Sequence, residues 1–138
     1  MCFFISIGIA AKHAAVLARE FGRGFQLHPT ANPSFRSLLN KDETAVVLTS
    51  GGCSCDLYSL QPNRRKGQPS FVGLRPDCRQ KIAKVAKEAS GLALLTHFYS
   101  GSVEEERFSV GVSKAIPIAK AVFDQTDFPP DTLIRIKT

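Results

Sequence analysis

The chain has no apolar run approaching the ~18–20 residues that a membrane-spanning helix needs. It has no internal repeat, which excludes solenoids and propellers, and no low-complexity tract, which argues against disorder. Four cysteines in 138 residues are too few for a disulfide scaffold. Positive charge ahead of the apolar N-terminal stretch is also missing. The first basic residue, Lys12, comes after it, and Ser6 and Gly8 interrupt it, unlike a secretory signal. These absences predict one cytoplasmic domain over residues 1–138, with its cysteines as thiols, metal ligands or nucleophiles.

What is present is an ordinary globular composition, 43% hydrophobic and 22% charged, with a charge excess confined to one region. Eighteen basic against twelve acidic residues give +6. Within 61–90 stand Arg64, Arg65, Lys66, Arg75, Arg79, Lys81, Lys84 and Lys87 against Asp77 and Glu88 alone, so the remaining chain is balanced. Concentrated charge of this kind implies an acidic partner more readily than a diffuse excess does. An acidic protein docking on Arg64, Arg65, Lys66, Arg79, Lys81, Lys84 and Lys87 is favoured over nucleic acid. No nucleic-acid-binding motif is present, and Phe71 alone among residues 63–90 supplies a ring for stacking. The bland alternative is a solvated helix face.

Periodicity predicts the elements. Residues 3–9 are rich in Phe and Ile, as a strand buried on both faces would be. Residues 11–21 read as a helix through Ala14, Leu17, Ala18 and Phe21, with Gly22 as its left-handed end. Residues 25–28 form a short strand. Asn32-Pro33-Ser34 opens a short helix, Asn32 capping and Pro33 first inside. Residues 44–49 are a strand running into Ser50-Gly51-Gly52-Cys53-Ser54-Cys55-Asp56, and 61–70 is an exposed loop. A helix over 76–89 puts Cys78, Ile82, Val85, Ala86 and Ala89 on one face and ends at Gly91. Strands 92–99 and 107–112 pair through a loop carrying the solvated Glu104-Glu105-Glu106, and 133–137 closes the sheet. Prolines 117, 129 and 130 argue against any long element over 113–131. The sum is an α+β fold, a mostly antiparallel sheet of five to six strands with two principal helices.

Three cysteines sit where chemistry is available. Cys53 and Cys55 flank Ser54 in a glycine-bearing loop directly after a strand, and Cys2 begins the first strand. All three meet if strands 3–9 and 44–49 run antiparallel, because the start of one then lies beside the end of the other. Three thiolates and a histidine make a tetrahedral zinc site, with His28 as the fourth ligand and His13 and His97 as alternatives. A second chemistry is an N-terminal nucleophile. Removal of Met1 would leave Cys2 with its own amine as base, a thiol hydrolase. Plain burial of the thiols is the third, and Cys78 on its apolar helix face is read that way. The balance leans away from an enzyme. Glycines 51 and 52 do not make a phosphate loop, because no Gly-Lys-Ser/Thr follows them. His13 and His97 otherwise read as satisfied structural residues.

Met1-Cys2 opening a strand, Gly22-Arg23-Gly24-Phe25 after a helix, Asn32-Pro33-Ser34 and Gly52-Cys53-Ser54-Cys55 together resemble a set of small bacterial proteins. Those likewise begin Met-Cys and carry a later Cys-x-Cys. The resemblance covers the first half of the chain. It implies that Cys2, Cys53 and Cys55 belong together, and it implies no activity.

Overall fold

A computed structural model describes residues 2–50, 58–63, 68–120 and 130–138. In chain order the elements are β1 (Cys2–Ala10), a 3₁₀ turn (Ala11–His13), α1 (Ala14–Glu20), β2 (Gln26–Pro29), α2 (Pro33–Arg36) and β3 (Glu43–Thr49). Then come β4 (Tyr58–Asn63), β5 (Gln68–Leu74), α3 (Pro76–Glu88), β6 (Leu92–Tyr99), β7 (Gly111–Pro117), a 3₁₀ turn (Ile118–Lys120) and β8 (Thr132–Lys137). Six strands form one sheet in the order β2-β3-β1-β6-β8-β7, and β4-β5 is a separate hairpin. Every pairing in the large sheet is antiparallel except β7 with β8. The α+β architecture is the one the periodicity predicts.

Strand alternation divides the large sheet into two faces. On the first, Phe3, Ile5, Ile7 and Ile9 of β1 stand in line with Leu92 and Leu94 of β6 and Ile134 and Ile136 of β8. These residues pack against Leu17 of α1 and Cys78, Ile82, Val85 and Ala86 of α3. Ile7, Ile82, Val85 and Ala86 are all fully buried. On the second face the strands carry a mixture of small, polar and bulky residues, Phe4, Ser6, Gly8, Ala45, Val47, Ala93, Leu95, His97 and Tyr99. Phe35 of α2, with Leu38, Leu39, Phe108 and Val110, covers that face. Gly8 leaves room there for Leu39, whose Cδ2 would lie 2.5 Å from an added Cβ and would have to shift.

Local chemistry explains the boundaries. Asn32 caps α2, its side-chain oxygen accepting from the amides of Ser34 and Phe35, and Pro33 opens the helix. Gly91 (φ +123°) follows α3 at a point where a Cβ would lie 2.7 Å from the Ile136 carbonyl oxygen. Cys78 is a buried thiol, pushed up to about 12 mainly by burial, and so is inert.

Four expectations change. Residues 11–21 begin as a 3₁₀ turn and are α-helical only from Ala14, and Ala18 faces solvent. The left-handed residue after α1 is Gly24, not Gly22. Residues 61–70 are not all loop, since β4 and β5 pair with Pro62 opposite Pro69. A two-stranded ribbon consists of edge strands, where a missing N–H is tolerated. Residues 107–110 form no strand, and β7 runs instead from Gly111 to Pro117, parallel to β8. The place beside β6 assigned to 107–112 is taken by β8, whose Leu133, Ile134 and Ile136 are buried.

Candidate functional site

The cysteine region is described in part. β1 and β3 are antiparallel, with Ile5 opposite Leu48 and Ala10 opposite Glu43. The start of β1 therefore lies beside the end of β3, the orientation a Cys2-centred site requires. Cys2 itself is paired with Tyr99 of β6. Cys53 and Cys55 lie outside the described residues, as do Arg64, Arg65 and Lys66.

His28 stands away from Cys2. It is exposed on β2 opposite Val47, which in turn faces Ser6 of β1. That row stands four residues along β1 from Cys2, roughly 13 Å at the rise of a strand, and two strands across. A residue in a short edge strand keeps the register its partner imposes, and sequence spacing carries no information about that register. Among the described residues, no group of three or more His, Cys, Asp or Glu side chains is arranged to hold a metal ion.

The basic helix is partly committed. Lys81 donates to the Glu20 backbone oxygen at 2.8 Å and lies over the Phe25 ring, and Lys84 pairs with the Glu20 carboxylate at 3.2 Å. Both lysines fasten α3 to the end of α1, and Arg19 returns to Glu88. Arg79 is half-buried, while Lys84 and Lys87 are exposed. Thus the positive helix face is used within the molecule as well as shown to solvent.

The most developed polar cluster surrounds His97, which composition and spacing read as a satisfied structural residue. Its Nδ1 meets Asp131, the residue before β8, and its Nε2 meets Glu106 Oε2 at 2.7 Å. The ring stacks on Phe108 (centroids 3.8 Å apart, 14° between planes) and receives the edge of Tyr99 at 4.5 Å. Because the two carboxylates occupy opposite ring nitrogens, they converge on the imidazole and on no shared point beyond it. Burial opposes charge on His97, but the hydrogen bonds and charges of Asp131 and Glu106 outweigh it, so the pKa lies above 6.5. Glu106 is held below 4.5, first by His97. Burial pushes the Tyr99 phenol up to about 12, against a smaller pull downward from Ser6. Its hydroxyl makes no well-formed hydrogen bond among the described residues.

Glu106 is thus not one of three solvated carboxylates. Its Oε1 accepts from the Ser100 amide (3.0 Å), the Ser100 hydroxyl (2.9 Å) and the Gly101 amide (2.8 Å). The loop that presents it is anchored from across the chain. Asn32, capping α2 with its oxygen, donates through Nδ2 to the carbonyls of Val103 (2.7 Å) and Glu106 (2.9 Å). The Ala31 amide donates to Glu104, and the Phe108 amide donates to the Ser34 hydroxyl. A cleft of about 320 Å³ lies beside these contacts, between α2 (Pro33, Ser34) and Arg107, Phe108 and Val110. A lone histidine and three adjacent glutamates give no sequence signal for this assembly, because its partners come from four separate stretches.

The chain matches no family model, no curated protein and no solved structure, so its sites are read from their own geometry.

Proposed function

We propose that this protein is a small metal-binding protein, with zinc as the leading ion, whose ligands are Cys2, Cys53 and Cys55. The observation that carries the reading is the antiparallel register of β1 with β3, which sets the backbone of Cys2 beside the end of β3. Cys53 and Cys55 follow Ser50 by three and five residues, a reach of at most about 11 and 18 Å for extended chain. Closely spaced thiols of this kind favour a shared soft ion over an unstrained disulfide with each other. His28 is omitted from the ligand set. The fourth position belongs to a group other than that edge-strand imidazole.

The test uses protein purified without metal-affinity steps. Elemental analysis is expected to find about one zinc per chain, the stoichiometry of a single tetrahedral site. In a Cys78→Ala background, thiol titration is expected to leave the three remaining cysteines protected until a chelator is added. Immediate reaction of all three, in protein carrying no stoichiometric metal, would refute the proposal.

A second reading, a module that docks an acidic protein, is favoured by the exposed positions of Lys84 and Lys87 on α3, whose opposite face is settled in the core. Reversing the charges of Arg64, Arg65, Lys66 and Lys87 would then abolish capture of an acidic partner while leaving the fold intact. Unchanged capture removes this reading.

A further inference from the structure

The His97 cluster is built from groups other than the cysteine ligands and performs a different task. An imidazole has two ring nitrogens, and here each faces a carboxylate oxygen. Only the imidazolium carries an N–H on both. In neutral imidazole one nitrogen presents a lone pair, which repels the carboxylate oxygen opposite it. The geometry points to His97 as a proton-operated catch that, when protonated, clamps the start of β8 to the loop before β7, and on losing its proton releases Asp131.

Asp131 is the side that lets go because the two carboxylates are held unequally. Glu106, 18% exposed, keeps three further donors from Ser100 and Gly101 whatever His97 does. The Asp131 side chain is 44% exposed and its carboxylate has no other hydrogen-bond partner among the described residues. Asp131 also has a left-handed backbone (φ +57°), a conformation that costs an L-residue free energy and persists where its surroundings hold it. Its amide donates to the Thr96 carbonyl at 2.8 Å, and its carbonyl accepts from the Gly111 amide at 2.7 Å. Loosening Asp131 therefore loosens the point at which β6, β7 and β8 are brought together.

The surrounding groups favour the charged form. The loop contributes Glu106, with Glu104 nearby, and the start of β8 contributes Asp131. β6 itself contributes Tyr99, neutral throughout the working range. β1 opposes His97 with Phe4, and the titratable residue of that strand, Cys2, is paired with Tyr99 instead. Phe108 stacks on the ring as it would on any flat cation. The sign follows directly. With the folded pKa raised, the clamp is fully present below 6.5 and is lost as pH climbs through the raised value.

Amide hydrogen exchange on the full chain tests this, with rates corrected for the intrinsic dependence on pH and the His97 titration followed by NMR. Protection at Asp131 and Gly111 is expected to fall about tenfold or more as His97 deprotonates, the loss of one charge-assisted hydrogen bond. Protection at Ser100 and Gly101 should stay constant over the same range. In His97→Gln the step at Asp131 and Gly111 should vanish. Should that variant fail to fold, Asp131→Asn is expected to move the His97 titration to lower pH. Flat protection at Asp131 and Gly111 through the His97 titration overturns the proposal. So does a step that persists in His97→Gln, or an unmoved titration in Asp131→Asn.

Discussion

The two faces of the large sheet are stabilised in different ways. The face under α1 and α3 is an apolar contact in which alternate residues of β1, β6 and β8 meet the buried stripe of α3. The opposite face has a smaller apolar patch around Phe35 and Leu95, and is otherwise tied together by specific polar groups. Asn32 joins α2 to the 103–106 loop, His97 joins that loop to Asp131, and Arg135 joins β8 to Glu43 and to the Leu38 carbonyl. Burial of apolar surface is non-directional and tolerates changes of shape at a modest cost. Hydrogen-bonded ties do not, since removing one partner strands another in a dry place. The first face should therefore respond to lost volume and the second to lost partners.

The largest effect is expected on the apolar face. Ile82→Ala and Ile7→Ala each empty a fully buried position and should each cost about 3 kcal/mol, read as a lower urea midpoint with unchanged slope. Asn32→Ala comes next, at about 2 kcal/mol, because one change removes both the cap of α2 and the donor to two loop carbonyls. Asn32→Asp separates the two roles. It keeps the cap and loses the donor, so it should disturb residues 103–106 while leaving α2 in place, which amide exchange resolves.

The pair Arg135–Glu43 supplies the comparison with a pH axis. Burial pushes Glu43 up, but Arg135, the Asn40 amide and Arg36 more than offset it, so its pKa lies below 4.5. Its contribution to stability is therefore present above 4.5 and lost as pH falls through the lowered value. Arg135→Met should weaken that acid-side dependence and, with the pair partly open to water, cost about 1–2 kcal/mol near neutrality. Denaturation midpoints measured from acid to neutral pH check both. The smallest effect belongs to Lys87→Glu, an exposed site remote from either face, which should leave the midpoint unchanged within error.

The unequal legibility of the two faces has the same origin. The Phe- and Ile-rich run of β1 and the helical stripe Cys78-Ile82-Val85-Ala86 are local patterns, so that strand, α3 and the contact between them can be read from the sequence nearby. The cap at Asn32-Pro33 is local as well. The partners of His97 are not, for Glu106 is nine residues away and Asp131 thirty-four. Nothing near His97 in sequence distinguishes it from any histidine in a strand. The strand expected at 107–112 failed for a related reason. Phe108 and Val110 alternate as strand residues do, yet the one stacks on His97 and both cover the second face from outside the sheet. For the cysteines, spacing raised a question of orientation that the β1–β3 register answers for the backbone, and the same kind of register sets His28 apart.

The tie made by Asn32 has a consequence for the order in which the protein is completed. Its amide nitrogen must find carbonyls 71 and 74 residues further along the chain. On the ribosome, α2 can form and be capped long before those acceptors exist, and until then the amide is served by water. Closing so distant a contact incurs loop entropy with little return until β6 is docked. The second face should therefore be the late event of folding, assembled on a first face that is already sound. A nascent chain arrested before residue 103 would lack the Ile134 and Ile136 that β8 adds under the helices, and the opposite side of its sheet would still be wet.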